Sequence, residues 1–172
     1  FPFDANTSTA TAYDYSNNNQ DGSYQGNAYT NTSNGMIGGG LQLDGNGDYI
    51  QVLDNNAIDF KNTGNYTWMA WIYPKTLRST GEGILKKCPA GFTGNGYSIY
   101  LDAQGKLTLD DCISAGTSSA SSSNVTVNRW SHVAVNFTNG GFTFFINGQA
   151  NGSVVITFTD DTASNLLIGS AA

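Results

Sequence analysis

The residues Trp130-Ser131-His132-Val133-Ala134-Val135-Asn136-Phe137 read as a strand and Thr138-Asn139-Gly140-Gly141 as a tight turn. A second strand, Phe142-Thr143-Phe144-Phe145-Ile146, and a second turn, Asn147-Gly148, follow at once. Asn-Gly takes up the positive φ angles of a two-residue hairpin, so residues 129–146 are predicted to form a β-meander. The same punctuation recurs along the chain, which holds six Asn-Gly and two Asp-Gly dipeptides. No stretch sustains a 3.6-residue period. Charged residues make up 12% of the chain, against roughly 25% in ordinary globular proteins. Glu82 is the one Glu among thirteen acidic residues, while Asn, Thr, Gly and aromatics abound. That balance favours strands and turns over helices.

The strand candidates follow from this. Residues 1–3 read as a strand fragment, and the rest of 1–40 as long loops with at most one short strand. Leu41-Gln42-Leu43 and Asp48-Tyr49-Ile50-Gln51-Val52 form a hairpin about Asp44-Gly45-Asn46-Gly47. Residues 66–73 are apolar on both faces, as in a strand buried on both sides; Trp68 and Trp71 are therefore expected in the core. Ile84-Leu85-Lys86, Tyr97 to Leu101, Leu107 to Leu109, Val154 to Phe158 and Leu166 to Ile168 complete the set. The adjacent pair Lys86-Lys87 reads as a solvated strand end, and residues 114–124 as a low-complexity polar loop. About ten short strands with turn signals between them predict an all-β sandwich, and 172 residues suit a single domain spanning 1–172.

Several pieces in order resemble the laminin-G-like domains of the concanavalin A-like lectin/glucanase superfamily. They are Phe3-Asp4 with Ala12-Tyr13-Asp14-Tyr15-Ser16 and Asp21-Gly22, then Gly39 to Gly45 with Gly47-Asp48-Tyr49-Ile50. Tyr66 to Ile72, Trp130 to Val135 with Phe145-Ile146-Asn147-Gly148, and Leu166-Leu167-Ile168-Gly169 follow. The resemblance implies a jelly-roll sandwich of two antiparallel sheets. Members of the family run on past the Leu-Ile-Gly piece into a final strand that pairs near the first. Here that strand is expected from residues outside this sequence or from a partner by β-strand addition. The partner version implies a non-catalytic structural or adhesive subunit, a homo-oligomer or surface fibre. The family's habit implies instead a carbohydrate- or protein-binding module of a larger secreted protein.

The resemblance also implies calcium, which takes oxygen ligands from Asp, Asn and carbonyls. Asp14, Asp21, Asp44 and Asp48 are the candidates, with Asn18, Asn19 and Asn46 beside them. The same residues suit turns for their own hydrogen bonding. Tyr15, Tyr24 and Tyr29 are candidates for stacking on a sugar ring. The glucanase branch needs paired carboxylates, whereas Glu82 stands alone and Asp110-Asp111, adjacent in a strand, point to opposite faces. His132 is a lone candidate base, and Gly38-Gly39-Gly40 lacks the Lys-Ser/Thr sequel of a phosphate loop. The chain is therefore expected to be non-catalytic.

A net charge of −6 with seven scattered Lys and Arg argues against nucleic acid, which is bound through clustered cations. No apolar run approaches the ~20 residues that span a bilayer. Cys88 and Cys112 are read as a disulfide between neighbouring strands, with two free thiols or half a metal site as alternatives. A closed loop of about 25 residues would stabilise the fold by roughly 3 kcal/mol in the chain-entropy model. Sequons at Asn6, Asn31, Asn65, Asn124, Asn136 and Asn151, with the cysteines and the uncharged polar surface, point to an extracellular or cell-surface glycoprotein. Asn136, inside a strand, is the least suited to modification.

Overall fold

Hydrogen-bonded ladders carry almost all of the regular structure. The computed structural model describes residues 1–4, 11–60, 63–89, 95–113, 118–138, 140–157, 159 and 163–170. Within these lie β1 (Thr11–Ala12), β2 (Gly22–Gln25), β3 (Tyr29–Asn31), β4 (Gly40–Gln42), β5 (Tyr49–Val52) and β6 (Tyr66–Ile72). They continue as β7 (Glu82–Lys87), β8 (Tyr97–Leu101), β9 (Lys106–Asp110) and β10 (Ser118–Asn124). The last are β11 (Ser131–Thr138), β12 (Gly141–Ile146), β13 (Gln149–Val154) and β14 (Leu166–Ile168). A 3₁₀ turn at Asn56–Ile58, capped by the Asn55 side chain, is the one helical element described.

An eight-stranded sheet runs β1-β2-β5-β14-β7-β8-β9-β10 and faces a four-stranded sheet ordered β13-β12-β11-β6; β3 and β4 form a separate pair. Every ladder is antiparallel, as the sequence pattern predicts. The β11–β12 hairpin is where it was expected, and β13 extends it into a three-stranded meander. Asn147 (φ 51°) and Gly148 (φ 77°) both lie in the left-handed region that a type I′ turn requires. The Asn147 side chain also accepts from the amide of His132 at 2.9 Å, which pins the turn to the start of β11.

Alternation then sorts the side chains. Val133, Val135 and Phe137 on β11, with Phe142 and Phe144 on β12, are buried between the sheets. Trp68 lies opposite Val135 and Tyr66 opposite Phe137. Their rings form a continuous aromatic layer: Tyr66–Phe137 at 4.8 Å, Phe137–Phe142 at 4.7 Å, and Trp68 to Tyr97 of the other sheet at 4.8 Å. Ile50, Val52, Ile99, Leu101, Leu107 and Leu109 supply the facing surface.

Six expectations are corrected. Leu41-Gln42-Leu43 and Asp48 to Val52 do not pair with each other as a hairpin: β4 pairs with β3, while β5 pairs with β2 and β14. The 66–73 segment is not buried on both faces: Met69 and Trp71 on the outer side of β6 are 70% and 44% exposed, and β6 ends the four-stranded sheet. Residues 118–124 are a strand rather than loop, because β10 pairs with β9 from Ser118↔Asp110 onward; residues 114–117 lie outside the described set. Residues 1–3 form no strand, and Phe3 sits at φ 55°, whereas the described residues between 4 and 39 hold three short strands, β1, β2 and β3. The strand expected at 154–158 lies earlier, at Gln149–Val154; residues 155–157 carry no strand, and Phe158 lies outside the described residues. Lys87 is not solvated but fully buried. It follows Leu85 on the inward side of β7, opposite Tyr97, and its ammonium meets Asp54 at 2.6 Å and Asp59 at 3.2 Å.

Cys88 and Cys112 are joined as a disulfide, with Cα atoms 5.8 Å apart. They follow β7 and β9, which flank β8, so the bridge spans the start of β8 instead of linking direct neighbours.

Two outcomes test this packing. Phe144→Ala is expected to cost about 3–5 kcal/mol through the cavity it leaves, whereas Trp71→Ala costs about 1 kcal/mol or less; similar losses in urea denaturation would contradict the assignment of faces. Reducing and alkylating the Cys88–Cys112 bridge is expected to remove about 2–5 kcal/mol, seen as a melting temperature lower by ~2–4 °C for each kcal/mol. An unchanged melting temperature would show that the bridge constrains little.

Candidate functional site

The four aspartates separate into two pairs. Asp21 sits just before β2 and Asp48 just before β5, and these strands run antiparallel with Gly22↔Val52 and Gln25↔Tyr49. The pairs therefore lie at opposite ends of one ladder, roughly 15 Å apart at ~3.4 Å per residue. Among the described residues, no three His, Cys, Asp or Glu side chains converge as a metal-binding group. The set Asp14, Asp21, Asp44 and Asp48 does not fit a single calcium site.

Each pair builds a loop. Asp14 accepts from the Ser16 amide at 2.8 Å, the Ser16 hydroxyl at 2.7 Å and the Gln20 amide at 2.9 Å, while its own amide donates to Asp21 Oδ1 at 2.8 Å. Burial works against the Asp14 charge, but the Gln20 and Ser16 donors outweigh it and hold the carboxyl below the usual carboxylate range. Asp48 accepts from the amides of Asn27 at 2.5 Å and Asp44 at 2.8 Å. These outweigh burial and lower its pKa as well. Gly26 passes over this carboxylate at φ 67°, where a Cβ would stand 2.5 Å from Asp48 Oδ1, so the crossing requires glycine. Arg78 braces the same turn, donating to Gly45 O at 2.6 Å while its guanidinium grips Glu82 at 2.8 Å.

The Asp14 loop carries Tyr15, which is 72% exposed. Beneath it is a shallow hollow lined by Phe3, Asp4, Thr11, Tyr13, Tyr15 and Tyr24. Tyr24 is half buried against the core, and the Asp4 carboxylate accepts from the Gly39 amide at 3.0 Å. The structure thus brings Tyr15 and Tyr24 together and leaves Tyr29 elsewhere, exposed on β3 opposite Gln42. Phe3 and Tyr13 also line the hollow, although they were not among the stacking candidates.

A second aromatic surface was missed entirely. On the outer side of the four-stranded sheet Trp71 meets His132 edge-on at 5.3 Å, and Tyr73 meets Trp130 at 5.5 Å. His132 is therefore a half-exposed stacking partner, and Trp71 is not in the core.

The carboxylates suited to glycoside cleavage stay apart. Glu82 is opposite Leu101 on β8 and Asp110 opposite Ser98, three residues or about 10 Å along the strand. Asp111 is buried and Asp110 faces outward beside Tyr100 and Lys86. Burial, with Asp111 adding to it and the Cys112 amide opposing, pushes the Asp110 carboxyl up. Burial lowers Lys86, against the pull of Asp110.

Among the sequons, Asn65 and Asn124 are exposed. Asn31 caps its own turn by accepting from Ser33 at 3.0 Å, Asn151 accepts from the Ser123 amide at 2.7 Å, and Asn136 accepts from Thr67 at 2.8 Å. Asn6 lies outside the described residues.

Comparison with known proteins bears on this arrangement. A laminin G family model of the concanavalin A-like lectin/glucanases superfamily matches residues 44–172. No curated protein matches the sequence. Among solved structures, domain 4 of AbnA, a GH43 extracellular arabinanase from Geobacillus stearothermophilus solved with arabinotriose, aligns with TM-score 0.60 and 20% identity over 85% of this chain and 68% of that one. An S-layer domain-containing protein from Clostridium thermocellum aligns with TM-score 0.53 and 25% identity over 91% and 71%. The carbohydrate-binding module CBM66 from Bacillus subtilis aligns with TM-score 0.50 and 15% identity over 95% and 89%. With residues 44–172 matched by the family model and two facing antiparallel sheets in place, the chain belongs to the laminin-G-like domains of the concanavalin A-like lectin/glucanase superfamily.

Proposed function

We propose that this domain is a non-catalytic, extracellular binding module that takes a glycan at the Tyr15 hollow. The observation that carries the reading is an exposed aromatic ring held on a loop pinned by three hydrogen bonds to Asp14. A pyranose or furanose ring presents an apolar face that stacks on such a ring, while Asp4 at the rim offers an acceptor for sugar hydroxyls. The likeness to an arabinanase domain solved with arabinotriose and to a carbohydrate-binding module supports it. Separation of Glu82 from Asp110 supports the non-catalytic part.

A second reading rests on a different observation. β6 is seven residues long and, among the described residues, ends its sheet, so one row of its backbone N–H and C=O groups faces away from β11. Exposed edges of this length are templates for an added strand, and Met69 and Trp71 beside it give an incoming strand apolar contact. On this reading neighbouring subunits complete the sheet and the domain assembles.

A glycan array that includes arabino-oligosaccharides, followed by calorimetry, tests the first reading. Tyr15→Ala is expected to weaken binding about tenfold, the worth of one stacking contact, with the melting temperature unchanged. Undiminished binding by Tyr15→Ala would remove the hollow from consideration. The Asp14 loop sets the pH limit. Because its carboxyl is depressed in the folded chain, the loop holds fully above the unfolded value of about 3.9. It loosens only as pH falls through the lower folded value. Binding should therefore be flat from pH 7 to 5 and fall below about 4. Light scattering over rising concentration tests the second reading, and a mass that stays monomeric throughout would count against it.

A further inference from the structure

The buried Lys87 is used by neither reading, and its surroundings go beyond a salt bridge. Its Nζ donates to Asp54 Oδ1 at 2.6 Å and to the carbonyl of Ser164 at 2.8 Å. Asp59 Oδ1 lies 3.2 Å from the same nitrogen, but off the hydrogen-bonding direction. That oxygen is buried without a hydrogen-bond partner among the described residues. The lysine side chain is 1% exposed and that of Asp59 6%, while Asp54 is 29% exposed. An ammonium and two carboxylates packed beside the aromatic layer carry a heavy desolvation penalty.

We infer that Lys87 and Asp54 are joined by a side-chain amide, which the folded chain forms on itself with Asp59 as proton relay. Condensation needs both partners uncharged, and the 2.6 Å contact gives the proton a direct path between them. Moving one proton from Nζ to Asp54 gives a free amine beside a carboxylic acid. A desolvated lysine amine is a competent nucleophile. Its target, Asp54 Cγ, lies one C–O bond beyond the oxygen contacted at 2.6 Å, which puts it close to the near-attack separation of about 3–3.5 Å. Nζ attacks Cγ, and Asp59 takes a proton from the attacking nitrogen. Asp59 then returns that proton to the departing hydroxyl, which leaves as water. The C–N bond forms, one C–O bond breaks, nothing is oxidised or reduced, and Asp59 ends in its starting state.

The surroundings suit each step. The Asp54 amide donates to Asn165 Oδ1 at 3.0 Å, which fixes the backbone of the electrophile. The partial exposure of Asp54 gives the released water a way out. Lys87 also adjoins Cys88, already bridged to Cys112, so the end of β7 would be tied covalently on two sides.

Intact-mass measurement tests this on the full chain, produced in a bacterial cytoplasm so that the sequons stay bare, with both cysteines reduced and alkylated. The expected mass is one water below that of the sequence carrying two alkylated cysteines. Digestion should show no tryptic cleavage after Lys87 and one branched peptide containing Lys87 and Asp54. Lys87→Arg is expected to restore the full sequence mass. Asp59→Asn, which keeps both reacting groups, should restore it too. A wild-type chain at full sequence mass would overturn the proposal. So would a lost water mapped to an aspartyl succinimide, as at Asp21-Gly22, or a lysine linked elsewhere. A linked Asp59→Asn variant would overturn the relay role.

Discussion

Trp68 occupies the point where the two sheets press together. It belongs to β6, lies in register with Val135 of β11, and packs against Tyr97 of the opposite sheet. Tyr66, Phe137 and Phe142 extend the contact sideways. Neither sheet is stable with its inner face in water, and burying each large apolar side chain is worth about 1.5–3 kcal/mol. The loops inherit their positions from this contact. The Asp14 and Asp48 turns are set by β2 and β5, which stand over the core through Ile50 and Val52.

The chain solves its loops with few charges. Asp14, Asp48, Asp44 and Asn147 each accept backbone N–H groups that a turn would otherwise leave unmet. This is why Asp displaces Glu so completely: the shorter side chain reaches the amide two residues on. Acidic residues clustered in matching segments thus look like ligands in the sequence and act as turn-builders in the structure. Lys87 is the exception that the composition hides, one cation placed where an aliphatic side chain would ordinarily sit.

What could be read in advance was what is decided locally. The Asn147-Gly148 turn depends on two residues' φ preferences, and the inward alternation of Val133, Val135 and Phe137 is visible over one strand. The errors concern what lies across space. Residues 66–72 are apolar on both sides, but whether a second layer covers Met69 and Trp71 is not written in them. Ser118 to Asn124 have low strand propensity and become a strand only because β9 offers a partner, which tertiary context commonly does. Lys87 looked solvated because two adjacent lysines suggest a surface, yet adjacent strand residues face opposite ways. The hollow was half legible: Tyr15 and Tyr24 stand in loop-like sequence, whereas Phe3 and Tyr13 join them only through the path of the first residues past Gly39.

β10 closes the far margin of the large sheet with five serines, one alanine and one asparagine. Ser121 alone is buried, accepting from the Leu107 amide and donating to the Ser123 carbonyl, and Asn151 of β13 stitches that margin to the other layer. The backbone does the holding there while the outward side chains contribute little to it. Positions 118 and 122 are thus open to replacement without disturbing the core, a blank border on which selection or an engineer can write new surface chemistry.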